Sequence, residues 1–241
     1  MPVSGRYQLI DILRGIAIVL MVFYHFCYDL TYFHLAQFDF YRAPFWLNLR
    51  TLIVSLFLGL VGVSLVLAAD HGINKRRYFK RLGLLVLFAL AITISSYFMF
   101  PGRTIVFGIL HFIAFASVAG LLFVRWPMAS LALGVGIIVV SQIFQHRIFD
   151  QAWLHWLGLM THKPATEDYV PVIPWFGVVL IGIFLGHWLQ RRPALQFFRT
   201  FQMHGSLAGG LALAGRHSLL IYMLHQPILF GLLWSGIQIM Q

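Results

Sequence analysis

Charge is scarce in this chain. Asp, Glu, Lys and Arg together make up 10% of its 241 residues, and only seven residues are acidic. A soluble domain carries about a quarter of its residues as charged ones, so an ordinary soluble fold is excluded. There is a single cysteine, Cys27, which excludes an internal disulfide. The sequence has no Cys-x-x-Cys, no His-Glu-x-x-His, no phosphate loop and no Gly-x-Ser-x-Gly elbow, so the chemistries tied to those spacings are not expected. Eleven histidines are present, but none is spaced as a metal or haem ligand set, and neither group is expected. Segments of about ten residues with alternating polarity, the mark of a membrane barrel, are also missing.

What remains is apolar. Hydrophobic residues make up 60% of the chain and the mean hydropathy is +0.84. Seven runs approach the roughly 20 residues needed to cross a bilayer, at 8–30, 46–69, 82–100, 104–124, 127–145, 172–190 and 213–238. The fold class expected is all-α, a polytopic bundle of about seven transmembrane helices forming one domain over residues 1–241. Arg6 to Asp29 lacks a small-residue cleavage site and carries charge within its apolar core, so the first helix is expected to stay in the mature protein.

The net charge of +10 follows topology rather than nucleic acid, which is not an expected partner. With the amino terminus inside, twelve basic residues fall on the cytoplasmic side: Arg6, Arg14, Lys75, Arg76, Arg77, Lys80, Arg81, Arg125, Arg191, Arg192, Arg199 and Arg216. Five fall outside: Arg42, Arg50, Arg103, Arg147 and Lys163. That bias places the amino terminus in the cytoplasm and the carboxyl terminus outside. The cluster from Lys75 to Arg81 reads either as a stop to translocation or as a contact for anionic lipid or a phosphorylated ligand.

The first span holds the main chemical signal. At about 100° per residue, Asp11, Arg14, His25 and Asp29 fall within about 60° of one another, on one face of an otherwise apolar helix. Ionisable groups at membrane depth belong on a bundle interior or a wet cavity. Arg14 and His25 are eleven residues apart, or about 16 Å, which suits an elongated anionic ligand. His25 is suited to general-base work, and Asp29, four residues on, lies where a carboxylate can orient its ring. The competing reading is an internal ion pair that only locks helices.

Other spans add candidates. His111 is expected about two turns into the fourth span, at a depth like that of His25. The last span carries Arg216, His217, Ser218, Tyr222 and His225, then Pro227, which removes a backbone donor and opens a kink. Ser218, Tyr222 and His225 share a face. The sixth span opens Pro-Trp-Phe-Gly, with Trp175 a substrate-contact candidate, and its glycines 177, 182 and 186 suit close helix packing. Two longer loops stand out. Residues 145–171, with Trp153, His155, Trp156, His162, Glu167 and Asp168, read as a lid, a sugar-facing surface or an interfacial aromatic belt. Residues 190–211 are basic and then glycine-rich, and read as a flexible link. No inverted repeat is evident, which weighs against a transporter.

Four segments form an ordered set: Ile-Asp-Ile-Leu-Arg-Gly-Ile-Ala-Ile-Val-Leu-Met-Val-Phe-Tyr-His at 10–25, Phe-Gly-Ile-Leu-His at 107–111, Pro-Trp-Phe-Gly at 174–177 and Gly-Arg-His-Ser-Leu-Leu-Ile-Tyr at 215–222. The set resembles the heparan-α-glucosaminide N-acetyltransferase catalytic-domain family, in its small bacterial branch. The opening motif is also similar to that of membrane acyltransferases that acetylate bacterial surface sugars. The resemblance implies a bacterial inner-membrane enzyme that takes acetyl from cytoplasmic acetyl-CoA and passes it to a hydroxyl or amine of a carbohydrate-like acceptor outside. It implies catalytic roles for His25, Asp29 and His111, donor binding by Arg14, Asp11, Arg216, His217 and Ser218, and acceptor contacts from Tyr222, His225 and Trp175. Transfer is either direct or through an acetyl-histidine. A homodimer is compatible with so short a bundle. The two other readings are a proton-coupled transporter that uses the same polar stripe and a scaffold whose polar groups only fix packing.

Overall fold

The computed structural model describes residues 7–70, 72–99, 102–166, 168–191 and 201–240, with the side chains of Arg191 and Met240 excepted. Arg6, Glu167, Arg192 and Arg199 lie outside the described residues, as does the Arg191 side chain. The described elements are all helical: α1 (Gln8–Tyr32), α2 (Pro44–Asp70), α3 (Lys75–Met99), α4 (Ile109–Ala119), α5 (Pro127–Ile143), α6 (Val172–Arg191), α7 (Ser206–Arg216) and α8 (Ser218–Met240). Among the described residues, five helices are long and apolar enough to cross a membrane: Gln8–Tyr32, Pro44–Asp70, Lys75–Met99, Val172–Gln190 and Ser218–Ile239. Ile109–Leu122 and Pro127–Ile143 are shorter apolar helices.

Local chemistry sets the helix ends. Past the end of α1, His34 turns left-handed (φ 60°), a conformation that stops a helix. Ahead of α2, the Asp39 carboxylate accepts from the backbone N–H groups of Tyr41 (3.1 Å) and Arg42 (2.9 Å), and Pro44 then occupies the first helical position, where its missing N–H costs nothing. Asn74 caps α3 by accepting from the Arg77 N–H at 3.0 Å. Ile173, which precedes Pro174, is extended (φ −102°, ψ 124°), as the proline ring requires of its predecessor.

The chain divides into two compact units, residues 1–57 with 193–241, and residues 58–192. In the first unit α7 packs along α1, and the sequence expectation for 190–211 is corrected there. Residues 206–211 are helical, not a flexible link. The glycines that suggested a linker sit in a helix whose small residues allow close contact: Ala208 and Ala212 are buried with Ile12. A Cβ added at Gly215 would lie 1.8 Å from the Asp11 carbonyl oxygen, and one at Gly15 would lie 2.0 Å from the Leu211 carbonyl oxygen. Backbones this close need residues without side chains on both helices. His217 (φ −102°, ψ 17°) breaks the run between α7 and α8, so the last long helix begins at Ser218, not at 213.

In the second unit the glycines of α6 do mark close approach. A Cβ at Gly177 would meet the Gly134 carbonyl oxygen at 2.6 Å, one at Gly182 the Gly59 carbonyl oxygen at 2.3 Å, and one at Gly186 the Val66 Cβ at 3.0 Å. The fourth span is shorter than its hydropathy suggested. Helix α4 begins at Ile109, because the preceding backbone is drawn into side-chain bonds: Ser96 Oγ accepts from the Ile105 N–H (3.0 Å) and the Thr93 hydroxyl donates to the Ile105 carbonyl (2.8 Å). His111 therefore lies in the first turn of its helix rather than two turns in.

Among the described residues of the 145–171 loop, polar groups bond to one another. Asp150 accepts from both the backbone N–H and the hydroxyl of Thr161, each at 2.8 Å, and His162 lies 3.5 Å away. The Thr161 backbone bond is the main cause holding the Asp150 carboxyl below its ordinary value. Tyr169 donates to the His155 carbonyl at 2.7 Å, and burial pushes its phenol above the ordinary range.

Candidate active site

In the first unit the polar stripe of α1 meets α7 at one end and α8 at the other. Near its start, Asp11 is 3% exposed and is held by two arginines. Arg14 Nη1 reaches Asp11 Oδ1 at 3.4 Å, and Arg216 Nε reaches Asp11 Oδ2 at 3.3 Å. The contact between Gly215 and Asp11 places Arg216, the next residue, against that carboxylate. One buried anion between two cations leaves a net positive group at this end. Neither Arg216 nor His217 is buried, and Ser218 opens α8.

Eleven residues beyond Arg14 in α1, His25 meets His225 of α8, with ring centroids 4.8 Å apart in an edge-to-face arrangement. His25 Nδ1 lies 2.9 Å from the Met21 carbonyl oxygen, and His225 Nδ1 lies 2.6 Å from the Tyr222 carbonyl oxygen. A carbonyl only accepts, so both Nδ1 atoms carry the hydrogen. Each neutral ring then presents Nε2 as a lone pair, the form a proton acceptor needs. Pro227 lies two residues beyond His225 and lacks an N–H for the helix ladder. The Tyr222 ring is 5.6 Å from His225.

Asp29, 1% exposed, takes a partner the sequence did not suggest. Its Oδ1 accepts from Gln226 Nε2 at 2.7 Å, so its recorded bond runs to α8 rather than to the His25 ring. Asp29 Oδ2, Gln226 Oε1 and His225 Nε2 are buried without a hydrogen-bond partner among the described residues. These three atoms are all acceptors, and burying them without donors is costly.

The remaining candidates, His111 and Trp175, belong to the second unit. Both ring nitrogens of His111 are engaged. Nδ1 accepts from the Gly108 N–H at 3.3 Å, and Nε2 is 3.1 Å from the Thr93 hydroxyl. Because Thr93 donates to the Ile105 carbonyl, its oxygen receives the His111 Nε2 hydrogen. His111 thus ties α3 to the start of α4. Beside it Asp168 Oδ2 accepts from the Ile109 N–H at 2.9 Å, and a Cβ at Gly108 would fall 2.2 Å from that oxygen. Trp175 is partly buried near the start of α6. Gln226 and Thr93 were not singled out from sequence, and Asp168 was noted only as a loop residue. Each acts across a long sequence separation, 197, 18 and 59 residues for the bonds to Asp29, His111 and Ile109 respectively. Among the described residues no three His, Cys, Asp or Glu side chains gather as a metal-holding group.

Comparison with curated proteins and with solved structures finds no match to the chain. The family model described as "Heparan-alpha-glucosaminide N-acetyltransferase, catalytic" matches residues 6–227, a span that holds the Asp11–Arg14–Arg216 group, the His25–His225 pair and the Asp29–Gln226 bond. An all-helical membrane bundle among the described residues agrees with that match, and the chain belongs to the heparan-alpha-glucosaminide N-acetyltransferase catalytic family, whose chemistry is acetyl transfer.

Proposed function

We propose that the chain is an inner-membrane acetyltransferase that takes acetyl from cytoplasmic acetyl-CoA and passes it to a hydroxyl or amine of a carbohydrate-like acceptor on the outer side. The observation that carries this reading is the His25–His225 pair at 4.8 Å, with each Nδ1 tied to a backbone carbonyl. In the proposed reaction His25 Nε2 removes the acceptor proton as the acceptor lone pair forms the new bond to the acetyl carbon. The carbon–sulfur bond breaks, and the proton passes on to the leaving thiolate, so charge and atoms balance. An acetyl-histidine route would use the same nitrogen.

His225, Tyr222, Asp29 and Gln226 serve the acceptor in this account, since the unpartnered Asp29 Oδ2, Gln226 Oε1 and His225 Nε2 are suited to its hydroxyl or amine hydrogens. Arg14, Asp11, Arg216, His217 and Ser218 serve the acyl donor. His111, with both nitrogens engaged, ties α3 to the start of α4 within the second unit. The chain crosses the bilayer seven times as a single domain, with the amino terminus in the cytoplasm, α4 and α5 completing the five longer spans. The excess of basic residues on the side proposed as cytoplasmic supports this orientation. A homodimer is compatible with it. The test is transfer from labelled acetyl-CoA by purified protein. His25→Gln should cut the rate about 10²–10⁴-fold with acetyl-CoA affinity intact, and a His25→Gln protein that transfers at the wild-type rate overturns the assignment.

A further inference from the structure

Helix α3 opens with Lys75, Arg76, Arg77, Lys80 and Arg81, five cations within seven residues, and has no acidic residue in its first turn. All five are exposed, and among the described residues none of them enters an ion pair. The helix gains nothing from this charge. Cations in a first turn oppose the macrodipole, and Arg76 with Lys80, like Arg77 with Arg81, sets like charges four residues apart. Two faces of α3 are distinct. Tyr78, Leu85, Ala89 and Ser96 fall within about 40° of one another at about 100° per residue; Leu85, Ala89 and Ser96 are buried, and the Tyr78 hydroxyl donates to the Ser117 carbonyl at 3.1 Å. They form the face packed within the second unit. On the opposite side Arg76, Lys80, Leu87, Ile94 and Phe98 also fall within about 40°, and all five are exposed. The cations therefore point away from the second unit's interior, at the head of an exposed apolar stripe on one of the helices long enough to cross a membrane. Leu87 lies about 10 Å along the axis from Lys80, within the roughly 15 Å of one leaflet's hydrocarbon.

We propose that this face of α3 is a docking site for an anionic phospholipid, its phosphodiester headgroup held by Arg76 and Lys80 with Arg77 and Arg81 at the flanks, and its acyl chain laid along Leu87. A row of unpaired cations above an apolar stripe matches a negative headgroup above a hydrocarbon chain. In the orientation proposed above, the lipid belongs to the cytoplasmic leaflet. The proposal does not rest on acetyl transfer.

The test uses the full chain in detergent, titrated with phosphatidylglycerol or with phosphatidylcholine of the same acyl chains, and bound lipid is counted by native mass spectrometry. One Lys or Arg at the membrane surface is worth about a fivefold preference for anionic lipid, so wild type should bind phosphatidylglycerol about fivefold or more tightly than phosphatidylcholine. Arg76→Gln/Lys80→Gln should bring the two lipids within about twofold, while Arg76→Lys/Lys80→Arg, which keeps both charges, retains the preference. Arg42→Gln/Arg147→Gln removes two exposed cations elsewhere and should also retain it. Glycerol 3-phosphate, a headgroup without acyl chains, should not displace the lipid. Equal binding of the two lipids by wild type overturns the site without recourse to a variant. So does a preference that survives Arg76→Gln/Lys80→Gln, or one that Arg42→Gln/Arg147→Gln removes as fully. Displacement by glycerol 3-phosphate overturns the acyl contact and with it the lipid. A dimer in the same spectra that Arg76→Gln/Lys80→Gln dissolves, with no lipid preference in wild type, assigns the face to a second copy and overturns the proposal. Because no acetyl transfer is measured, this site and the His25 assignment stand or fall separately.

Discussion

Substituting Gly215 by alanine should separate α1 from α7. The added Cβ would sit 1.8 Å from the Asp11 carbonyl oxygen, 2.8 Å from its carbonyl carbon and 2.9 Å from the Gly15 nitrogen. All three are backbone atoms of a helix, with no rotamer to move away. Real Cβ atoms essentially never come within 3.0 Å of such neighbours, so relief requires the helices to part by about 1.2 Å, the difference between 3.0 and 1.8 Å. Overpacking a tight contact costs about 1–3 kcal/mol, and a backbone obstacle puts this case near about 3 kcal/mol. For a chain of this size that is a fall in Tm of about 6–12 °C. Gly210 lies in the same helix with nothing within 4 Å of its would-be Cβ, so Gly210→Ala should stabilise by about 0.5–1 kcal/mol through backbone entropy. The assay is thermal unfolding of both variants in one detergent, followed by circular dichroism. Two alanines in one helix with opposite signs is the prediction, and a Gly215→Ala protein as stable as wild type would refute the packing described.

Asp168→Asn should destabilise the second unit by about 0.5–2 kcal/mol, because the start of α4 loses a charged acceptor for the Ile109 N–H; chemical denaturation of the variant checks this. His111→Phe should lower Tm more than His111→Gln, which can restore one of the two bonds, whereas a proton-transfer role would make both equally inactive at unchanged Tm. Asp150 contributes an acid limb to stability. Its folded pKa lies below the ordinary 3.8, so its contribution is present above that value and is lost as pH falls through the lower folded one. Asp150→Asn should flatten the decline in Tm below about pH 4, where protonation begins, and an unchanged slope contradicts the Thr161 bonding. Asp29→Asn should raise the KM for the acceptor more than that for acetyl-CoA, as read from initial rates with each substrate varied.

The helical membrane fold was legible because hydropathy acts over local windows, and α1, α2, α3 and α6 lie close to their expected spans. The face shared by Asp11, Arg14, His25 and Asp29 follows from helix periodicity alone. Their partners do not. Arg216 with Asp11, His225 with His25 and Gln226 with Asp29 meet across about 200 residues, and one sequence contains no signal for such pairings. Gly205, Gly209 and Gly210 disfavour helix locally and so suggest a linker, while the stability of α7 comes from contact between Gly215 and Gly15 that only the packed pair creates. The late start of α4 has the same origin, since Ser96, Thr93 and Asp168 take backbone groups that a continuous helix would have used.

The most direct test of the central claim is release of the CoA thiol from acetyl-CoA by the full chain in proteoliposomes, with a panel of amino sugars and glycosides as acceptors, for wild type beside His25→Gln at matched acetyl-CoA occupancy. The account predicts acceptor-dependent release in the wild type and a loss of about 10²-fold or more in the variant. Equal release from the two proteins would contradict it.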